Sequence, residues 1–208
     1  MGSTGYSWLS SIFYFGWLAW AIPSNLIMQR SPPAYYLAFN IFWWGALLMC
    51  QAAATNFAGL AALRVLSGAM EAIADPAFML ITSQYYTRSE QPSRISAWYC
   101  ANGIGVAGGG LIGYGIGNIK GALNSWRYEF LIVGAFCSAW AIVLALVLPN
   151  SPAKFKGFSH EEKLMMIARI AKNQTGVEQR KINWKQVREA YTDYKTWMFV
   201  SCKRQRIP

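Results

Sequence analysis

The sequence predicts an all-α membrane protein with five transmembrane helices and an amphipathic cytoplasmic tail, and three observations support this fold class. The 208 residues are 54% hydrophobic and only 13% charged, whereas soluble domains carry about 25% charged residues. Five apolar runs reach the roughly 20 residues that a helix needs to cross a bilayer. Basic residues concentrate at the C-terminal end, where 13 of the 19 lysines and arginines follow residue 148.

The chain divides into three predicted regions. Residues 5–149 form a transmembrane helix bundle, 150–195 form a basic cytoplasmic loop with amphipathic helices, and 196–208 begin a truncated further helix. The connections between the apolar runs are short, so we expect consecutive helices to pack antiparallel. The predicted spans are 6–28, 34–54, 57–86, 95–119 and 128–148.

The distribution of lysine and arginine predicts the orientation of these spans. Arg30, Arg88, Arg94 and the basic tail fall on one side, whereas the opposite connections contain only Lys120 and Arg127. By the positive-inside rule, the first side is cytoplasmic. The first span then enters from the outside, so we expect a helix to be missing upstream.

The third apolar run carries a stripe of charge. Positions 64, 68, 71 and 75 share one helical face, because steps of 4, 7 and 11 residues return to nearly the same direction. The stripe is Arg64, Gly68, Glu71 and Asp75. A charge at membrane depth costs about 2.5–3.5 kcal/mol on insertion scales, so such residues face a protein interior or a wet cavity. The stripe therefore indicates a transport pathway.

Two interpretations of the acids in this stripe remain open. Glu71 and Asp75 lie one turn apart and could form a proton-coupling site paired loosely with Arg64. Alternatively, the three charges form a structural network that locks helices together. Pro76 is expected to interrupt the helix at Asp75. The second run, in contrast, contains no charged residue, and we expect it to face lipid.

The fourth run is rich in glycine, and two motifs overlap in it. Gly103, Gly105 and Gly108 match the dinucleotide fingerprint, but that motif needs a preceding strand and a soluble βαβ unit. The other pattern is a G-x-x-x-G series that places four glycines on one face and allows another helix to approach closely. Its members are Gly105, Gly109, Gly113 and Gly117. We therefore predict that this helix packs tightly or moves against a neighbour.

Two polar residues of the same run are further candidates. Asn102 and Tyr114 could line a substrate cavity, or each could form an interhelical hydrogen bond. In the tail, Ser159 to Glu162 match a capping box that starts an amphipathic helix. Such basic amphipathic segments are typical of an anionic cytoplasmic membrane face.

Several function classes are not indicated. The sequence shows no nucleophile with a paired base and no metal-ligand spacing among its cysteines, so we predict neither an enzyme nor a metal site, and no cofactor. A net charge of +10 could suit nucleic acid, but long apolar runs argue against that partner.

The residues resemble the major facilitator superfamily, and within it the fungal allantoate permease family of anion:cation symporters. The sequence Arg64-Val-Leu-Ser-Gly68 resembles the R-x-x-x-G element of that superfamily's fourth helix, and the glycine-rich run resembles the glycine motif of its fifth. Other matching stretches are Ser11–Trp17, Pro23–Leu26, Phe78–Ser83, Gly109–Leu111, Tyr114–Ile116, Leu148–Pro152 and Asn173–Gly176. The chain departs from the family at Ala21, where an acid is usual, and at Asp75, an extra acid.

The resemblance implies a role for each candidate. The chain would correspond to helices two to six of twelve, with the central loop, in a proton-coupled symporter of small organic anions such as allantoate, nicotinate or pantothenate. Arg64 would either offer its positive charge to the carboxylate or anchor the proton relay, and Glu71, alone or with Asp75, would take the proton. The protein would be integral to a lipid bilayer, in the plasma membrane, and its glycine stripe would allow an oligomer. The alternative is a non-transporting truncated fragment or a helix-packing membrane protein.

Overall fold

The computed structural model describes residues 3–119, 123–151, 157, 159–171 and 184–198. The predicted all-α fold is confirmed. The helices run in the order α1 Ser3–Arg30, α2 Pro33–Ala53, α3 Phe57–Glu71, α4 Ala74–Tyr85, α5 Gln91–Gly117, α6 Ser125–Val147, α7 His160–Ala171 and α8 Trp184–Thr192. Parts of the predicted loop (152–156, 158 and 172–183), Lys120, and residues 199–208 of the predicted further helix lie outside the described residues.

Four segments are long and apolar enough to cross a membrane: Ser7–Arg30, Pro33–Ala53, Phe57–Tyr85 and Ser125–Val147. They match four of the five predicted spans. Helix α5 has 27 residues, which is long enough to cross a membrane. It is not among the four segments, because its eight glycines lower its mean hydropathy. Its membrane span therefore stays a prediction.

The third span is two helices joined by a short break. α3 ends at Glu71 and α4 begins at Ala74, so the break lies at Ala72 and Ile73, slightly before the predicted interruption at Asp75. The reason is that Pro76 has no N–H for the carbonyl of residue 72, so the ladder fails one turn earlier. Pro76 itself sits in the first turn of α4, where a missing donor is tolerated.

The expectation that the second helix faces lipid is wrong for one of its faces, whereas Phe39 and Trp43 on another face are exposed. α2 packs most extensively on α6 and also contacts α3, α4 and α1, which makes it the central helix of the bundle. Small residues at Ala34, Ala38, Gly45 and Ala52 are all buried along it. Because they repeat at spacings of four and seven residues, they form a stripe on which neighbouring helices can lie closely.

Two close helix crossings organise the bundle, and neither joins consecutive helices. α1 crosses α3 at Gly16 and Gly68, where an added Cβ would overlap the backbone of Val65 and Phe13 respectively. α2 crosses α6 at Gly45 and Gly134. In both places the absence of a side chain allows two backbones to touch.

The chain splits into two compact units, Met1–Glu178 and Gln179–Pro208. The first contains α1 to α7 and every site described below. The second contains α8, in which Thr192 Oγ1 donates to the carbonyl of Arg188 at 3.0 Å. After α8, the Trp197 indole N–H donates to the carbonyl of Tyr191 at 2.9 Å.

Candidate functional site

Helix α3 positions the charged stripe, and its start is capped by Asn56. The Asn56 side chain accepts a hydrogen bond from the backbone N–H of Gly59 at 2.8 Å. Substituting a cap of this kind typically costs about 1 kcal/mol. The cap therefore sets where the helix begins and which residues share its faces.

Two neighbouring helices fix the rotation of α3. Gly68 faces the backbone of α1 at Phe13, and Ser67 Oγ accepts a hydrogen bond from Gln51 Nε2 of α2 at 2.8 Å. Viewed down the axis of α3, Ser67 lies about 100° from Gly68. In the same direction, Arg64 lies about 40° and Glu71 about 60° from Gly68, so both fall between the side that meets α1 and the side that meets α2. The charged side chains therefore point toward the groove between α1 and α2.

Arg64 is half-buried, and an aromatic ring holds its guanidinium. Its Cζ lies 5.6 Å from the ring centroid of Phe130 on α6, within the range of a cation–π contact. Its Nε is buried and has no hydrogen-bond partner in the described part of the chain. Arg64 does not form the ion pair with Glu71 or Asp75 that the sequence suggests. The one ion pair among the described residues joins Arg169 and Glu90.

Glu71 and Asp75 are both exposed on the open side of the groove. They lie four residues apart in the sequence, on either side of the α3–α4 break. The indole nitrogen of Trp44 on α2 is buried and has no hydrogen-bond partner among the described residues. The two acids are thus close together, whereas Arg64 is about 10 Å from Glu71 along the axis.

The glycine stripe of α5 is not packed within the described chain. A Cβ added at Gly105, Gly109 or Gly117 would meet no atom within 4 Å, and at Gly113 it would lie 3.4 Å from Glu129 Oε1. α5 contacts α6 and α4 only along limited stretches. The tight packing predicted for this face is therefore not seen among the described residues, and it remains a prediction.

Asn102 and Tyr114 are exposed on α5. The twelve residues between them correspond to about 120° around the helix, so they do not share a face. No contact joins either side chain to the charged stripe in the described structure. Their role as substrate contacts stays a prediction.

Sequence reasoning missed the contribution of α2. Gln51 is fully buried, and Trp44 lies seven residues earlier on the same face. Gln51 donates to Ser67 of α3, as described above. The signal was present, because a glutamine at membrane depth needs a hydrogen-bond partner.

A second polar cluster lies where the α4–α5 turn, the end of α6 and helix α7 meet. Its cavity of about 400 Å³ is lined by Tyr85, Tyr86, Glu90, Arg94, Pro149, Met166 and Arg169. The Tyr85 hydroxyl donates to the carbonyl of Pro149 at 3.1 Å, and Arg94 lies 5.0 Å over the Tyr86 ring. These contacts bring together the connections that the positive-inside rule assigns to the cytoplasmic side.

Glu90 is the centre of this cluster. Its Oε2 accepts hydrogen bonds from the hydroxyl and the backbone N–H of Thr87, at 2.8 and 3.1 Å, which forms a capping box before α5. Its Oε1 pairs with Arg169 of α7. The Thr87 hydrogen bonds, aided by Arg169 and Arg94, lower the pKa of Glu90 below its ordinary value. At the start of α7, Ser159 donates its backbone N–H to Glu162 at 2.8 Å, as its capping-box motif predicts.

No group of three or more metal-ligating side chains occurs among the residues that the structure describes. Four helical segments that are long and apolar enough to cross a bilayer indicate a multi-pass membrane protein. The comparisons with known proteins then identify the family.

The chain belongs to the Major Facilitator Superfamily, whose model matches residues 1–202. It is 38% identical to the allantoate permease of Saccharomyces cerevisiae over 199 residues, which cover 93% of this chain and 37% of that protein. It is 40% identical to an uncharacterized transporter of Schizosaccharomyces pombe over 188 residues, covering 90% and 35% respectively. A thiamine pathway transporter of Saccharomyces cerevisiae is 34% identical, with 92% and 37% covered.

The chain therefore spans little more than a third of the length of these curated relatives. Family membership confirms two predictions: the protein is an integral, multi-pass membrane protein, and it belongs to a family of transporters, not of enzymes.

Proposed function

We propose that the protein is a proton-coupled symporter of small organic anions, located in the plasma membrane. The observation that carries this proposal is the orientation of Arg64 and Glu71 toward the groove between α1 and α2. Charged side chains at membrane depth typically mark a substrate or ion pathway. The similarity to an allantoate permease supports a carboxylate such as allantoate, nicotinate or pantothenate as the substrate.

Arg64 is the proposed anion-binding residue. Its guanidinium is held by the face of an aromatic ring and has no carboxylate partner among the described residues. A carboxylate can therefore bind it without first displacing an internal acid. Bidentate binding to a carboxylate is the interaction for which arginine is best suited.

Glu71 and Asp75 form the proposed proton-accepting pair. They are the two acids of the charged stripe and lie about one helical turn apart, so they are the carboxylates available in this span to take a proton. Proton binding at Glu71 then changes the field along the groove in which the substrate anion binds. This links proton entry to anion entry.

Uptake of radiolabelled allantoate into yeast cells that lack their own permease tests the proposal. Expression of the protein should give uptake that increases at acidic external pH, and E71Q should abolish that pH dependence. The matched control is E129Q, which removes an exposed glutamate near the start of α6. R64Q should abolish uptake, whereas R88Q, in the exposed α4–α5 turn, should not. Normal pH-dependent uptake by E71Q would contradict the coupling role.

The open glycine face of α5 favours a second candidate function, that of a helix-packing membrane protein without transport. In that case the face carrying Gly105, Gly109 and Gly113 binds a second copy of the chain. The mass of the purified protein in detergent separates the two candidates. A dimer with no uptake supports the second, and a monomer with uptake supports the first.

A further inference from the structure

The polar cluster around Glu90 encloses a cavity of about 400 Å³ that is lined by two arginines and one carboxylate. Arg94 reaches it from the start of α5, and Arg169 reaches it from α7. The cavity lies just beyond two candidate membrane spans, which end at Tyr85 and Val147. Its volume is typical of a small-ligand site. None of its lining residues belongs to the charged stripe of α3, so it is a separate site.

The carboxylate of this cavity already has partners on both oxygens. Glu90 Oε2 accepts two hydrogen bonds from Thr87, and Oε1 pairs with Arg169. The Thr87 contacts lie within the turn before α5, so they hold Glu90 in place without help from α7. Because one acid faces two arginines, the cavity keeps a net positive charge.

Arg94 is the arginine without a carboxylate partner. Its Cζ lies 5.0 Å from the ring centroid of Tyr86, and it forms no ion pair among the described residues. A cation–π contact supplies no oxygen acceptor, so the N–H donors of the guanidinium stay available to an anion. Arg94 also stands near the start of α5, where the positive end of the helix dipole favours an anion nearby.

We propose that this cavity binds the phosphate group of a phosphate monoester between Arg94 and Arg169. The guanidinium fork matches phosphate oxygens and forms strong bidentate hydrogen bonds with them. A monoester carries a charge of about −1.5 to −2 and three acceptor oxygens that point in different directions. It can therefore bind two arginines on separate helices, whereas the two oxygens of a carboxylate lie in one plane. The site goes beyond the proposed function and does not depend on it.

Binding of this group also affects α7. Among the described residues, the ion pair between α7 and the α4–α5 turn joins Glu90 to an exposed arginine, and such pairs contribute little by themselves. A phosphate that contacts both Arg94 and Arg169 adds a second, stronger connection between α5 and α7. We therefore expect amide hydrogen exchange in α7 to slow when the ligand binds.

Two kinds of molecule carry a phosphate monoester, a phospholipid and a soluble ester, and calorimetric titration of the purified chain in detergent separates them. Dioctanoyl phosphatidic acid has the monoester on acyl chains, and its control is the diester dioctanoyl phosphatidylglycerol. Glycerol 3-phosphate has the monoester alone, and its control is glycerol. We expect phosphatidic acid to bind about tenfold more tightly than its control. Weaker binding of glycerol 3-phosphate than of phosphatidic acid assigns the site to a lipid, and equal binding assigns it to the phosphate group alone.

Substitution of each arginine tests the geometry. R94Q and R169Q should each weaken binding of the monoester about tenfold and abolish the slowed exchange in α7. Both side chains are exposed, so the variants should keep the native helix content by circular dichroism. R94K, which keeps the charge but not the planar fork, should recover only part of the affinity.

The matched control is R88Q, because Arg88 is exposed in the same turn but does not line the cavity. R88Q should bind the monoester with native affinity. An equal loss in R88Q and R94Q would show that general positive charge attracts the anion, and it overturns the inference. Native affinity in both R94Q and R169Q, or no preference of the protein for either monoester over its control, overturns it as well.

Discussion

Gly45 and Gly134 face each other where α2 crosses α6, and a Cβ added to either would lie 2.6 Å from the carbonyl oxygen of the other. The contact is between backbones, so rotation of a side chain cannot relieve an overlap. This crossing belongs to the most extensive helix pair of the bundle.

We therefore expect Gly134→Ala to destabilise the protein. Overpacking of a close contact typically costs about 1–3 kcal/mol, and each kcal/mol lowers the melting temperature of a chain of this size by about 2–4 °C. Thermal unfolding in detergent, followed by size-exclusion chromatography of the soluble fraction, measures the change. A variant that melts at or above the native temperature would show that the crossing can open without cost.

The opposite result is expected on the glycine face of α5. Gly109 has open space where a Cβ would stand, so Gly109→Ala should stabilise the helix by about 0.5–1 kcal/mol through reduced backbone entropy. Gly68→Ala is the matched comparison, because its Cβ would overlap the carbonyl of Phe13. If both variants melt at a lower temperature in the same assay, the face of α5 is occupied in the purified protein.

The buried hydrogen bond between Gln51 and Ser67 predicts a third effect. Ser67→Ala leaves the Gln51 amide without its acceptor, at a cost of about 1–2 kcal/mol for a polar contact between membrane helices. Ser83→Ala is the control, because its hydroxyl donates within its own helix to the carbonyl of Leu80 at 2.7 Å. Unfolding in increasing sodium dodecyl sulfate should separate the two variants, and equal midpoints would refute the expected difference.

The lowered pKa of Glu90 predicts a pH-dependent stability at the end of the bundle that carries the α4–α5 turn. Because the hydrogen bonds from Thr87 favour the carboxylate, its stabilising contribution is present above the unfolded pKa and is lost as pH falls through the folded one. Glu90→Gln should therefore differ from the native protein near neutral pH, and the difference should shrink as the pH falls through the folded pKa of Glu90, which lies below its ordinary value.

Amide hydrogen exchange in the first turn of α5 reports this local effect. Glu161→Gln, at an exposed position of α7, is the control that removes a carboxylate elsewhere. A difference between native protein and Glu90→Gln that persists unchanged at acidic pH would contradict the assigned cause. Because the Arg169 side chain is 61% exposed, its ion pair with Glu90 should by itself add little.

Several features were predictable from the sequence because they follow from local physics. Four of the five spans appear at the predicted residues, since length and apolarity decide whether a helix can cross a bilayer. The rotation that turns Arg64 and Glu71 to one side of α3 follows from helical periodicity. The basic residues Arg30 and Arg94 likewise predicted that the α1–α2 and α4–α5 connections lie at the same end of the helix bundle.

The placement of α2 could not be predicted in the same way. Lipid and protein interiors are both apolar, so the apolar pattern of a membrane helix does not reveal which neighbour covers it. The small residues Ala38 and Gly45 were visible, but only the crossing with α6 shows that they are contact points. For the same reason, Gly109 and Gly134 look alike in the sequence, yet one faces open space and the other touches a backbone.

The sequence by itself determined the class of the protein, the positions of four helices long and apolar enough to cross a membrane, and the residues of the charged stripe of α3. Hydrophobic length and helical period act within single segments, so no tertiary contact is needed to read them. Only the tertiary structure decided which helices touch, that Arg64 lies over Phe130, and that Gln51 bonds to Ser67. Those contacts depend on the register between helices distant in the chain. That register is set where two backbones can approach most closely and where buried polar groups find their partners.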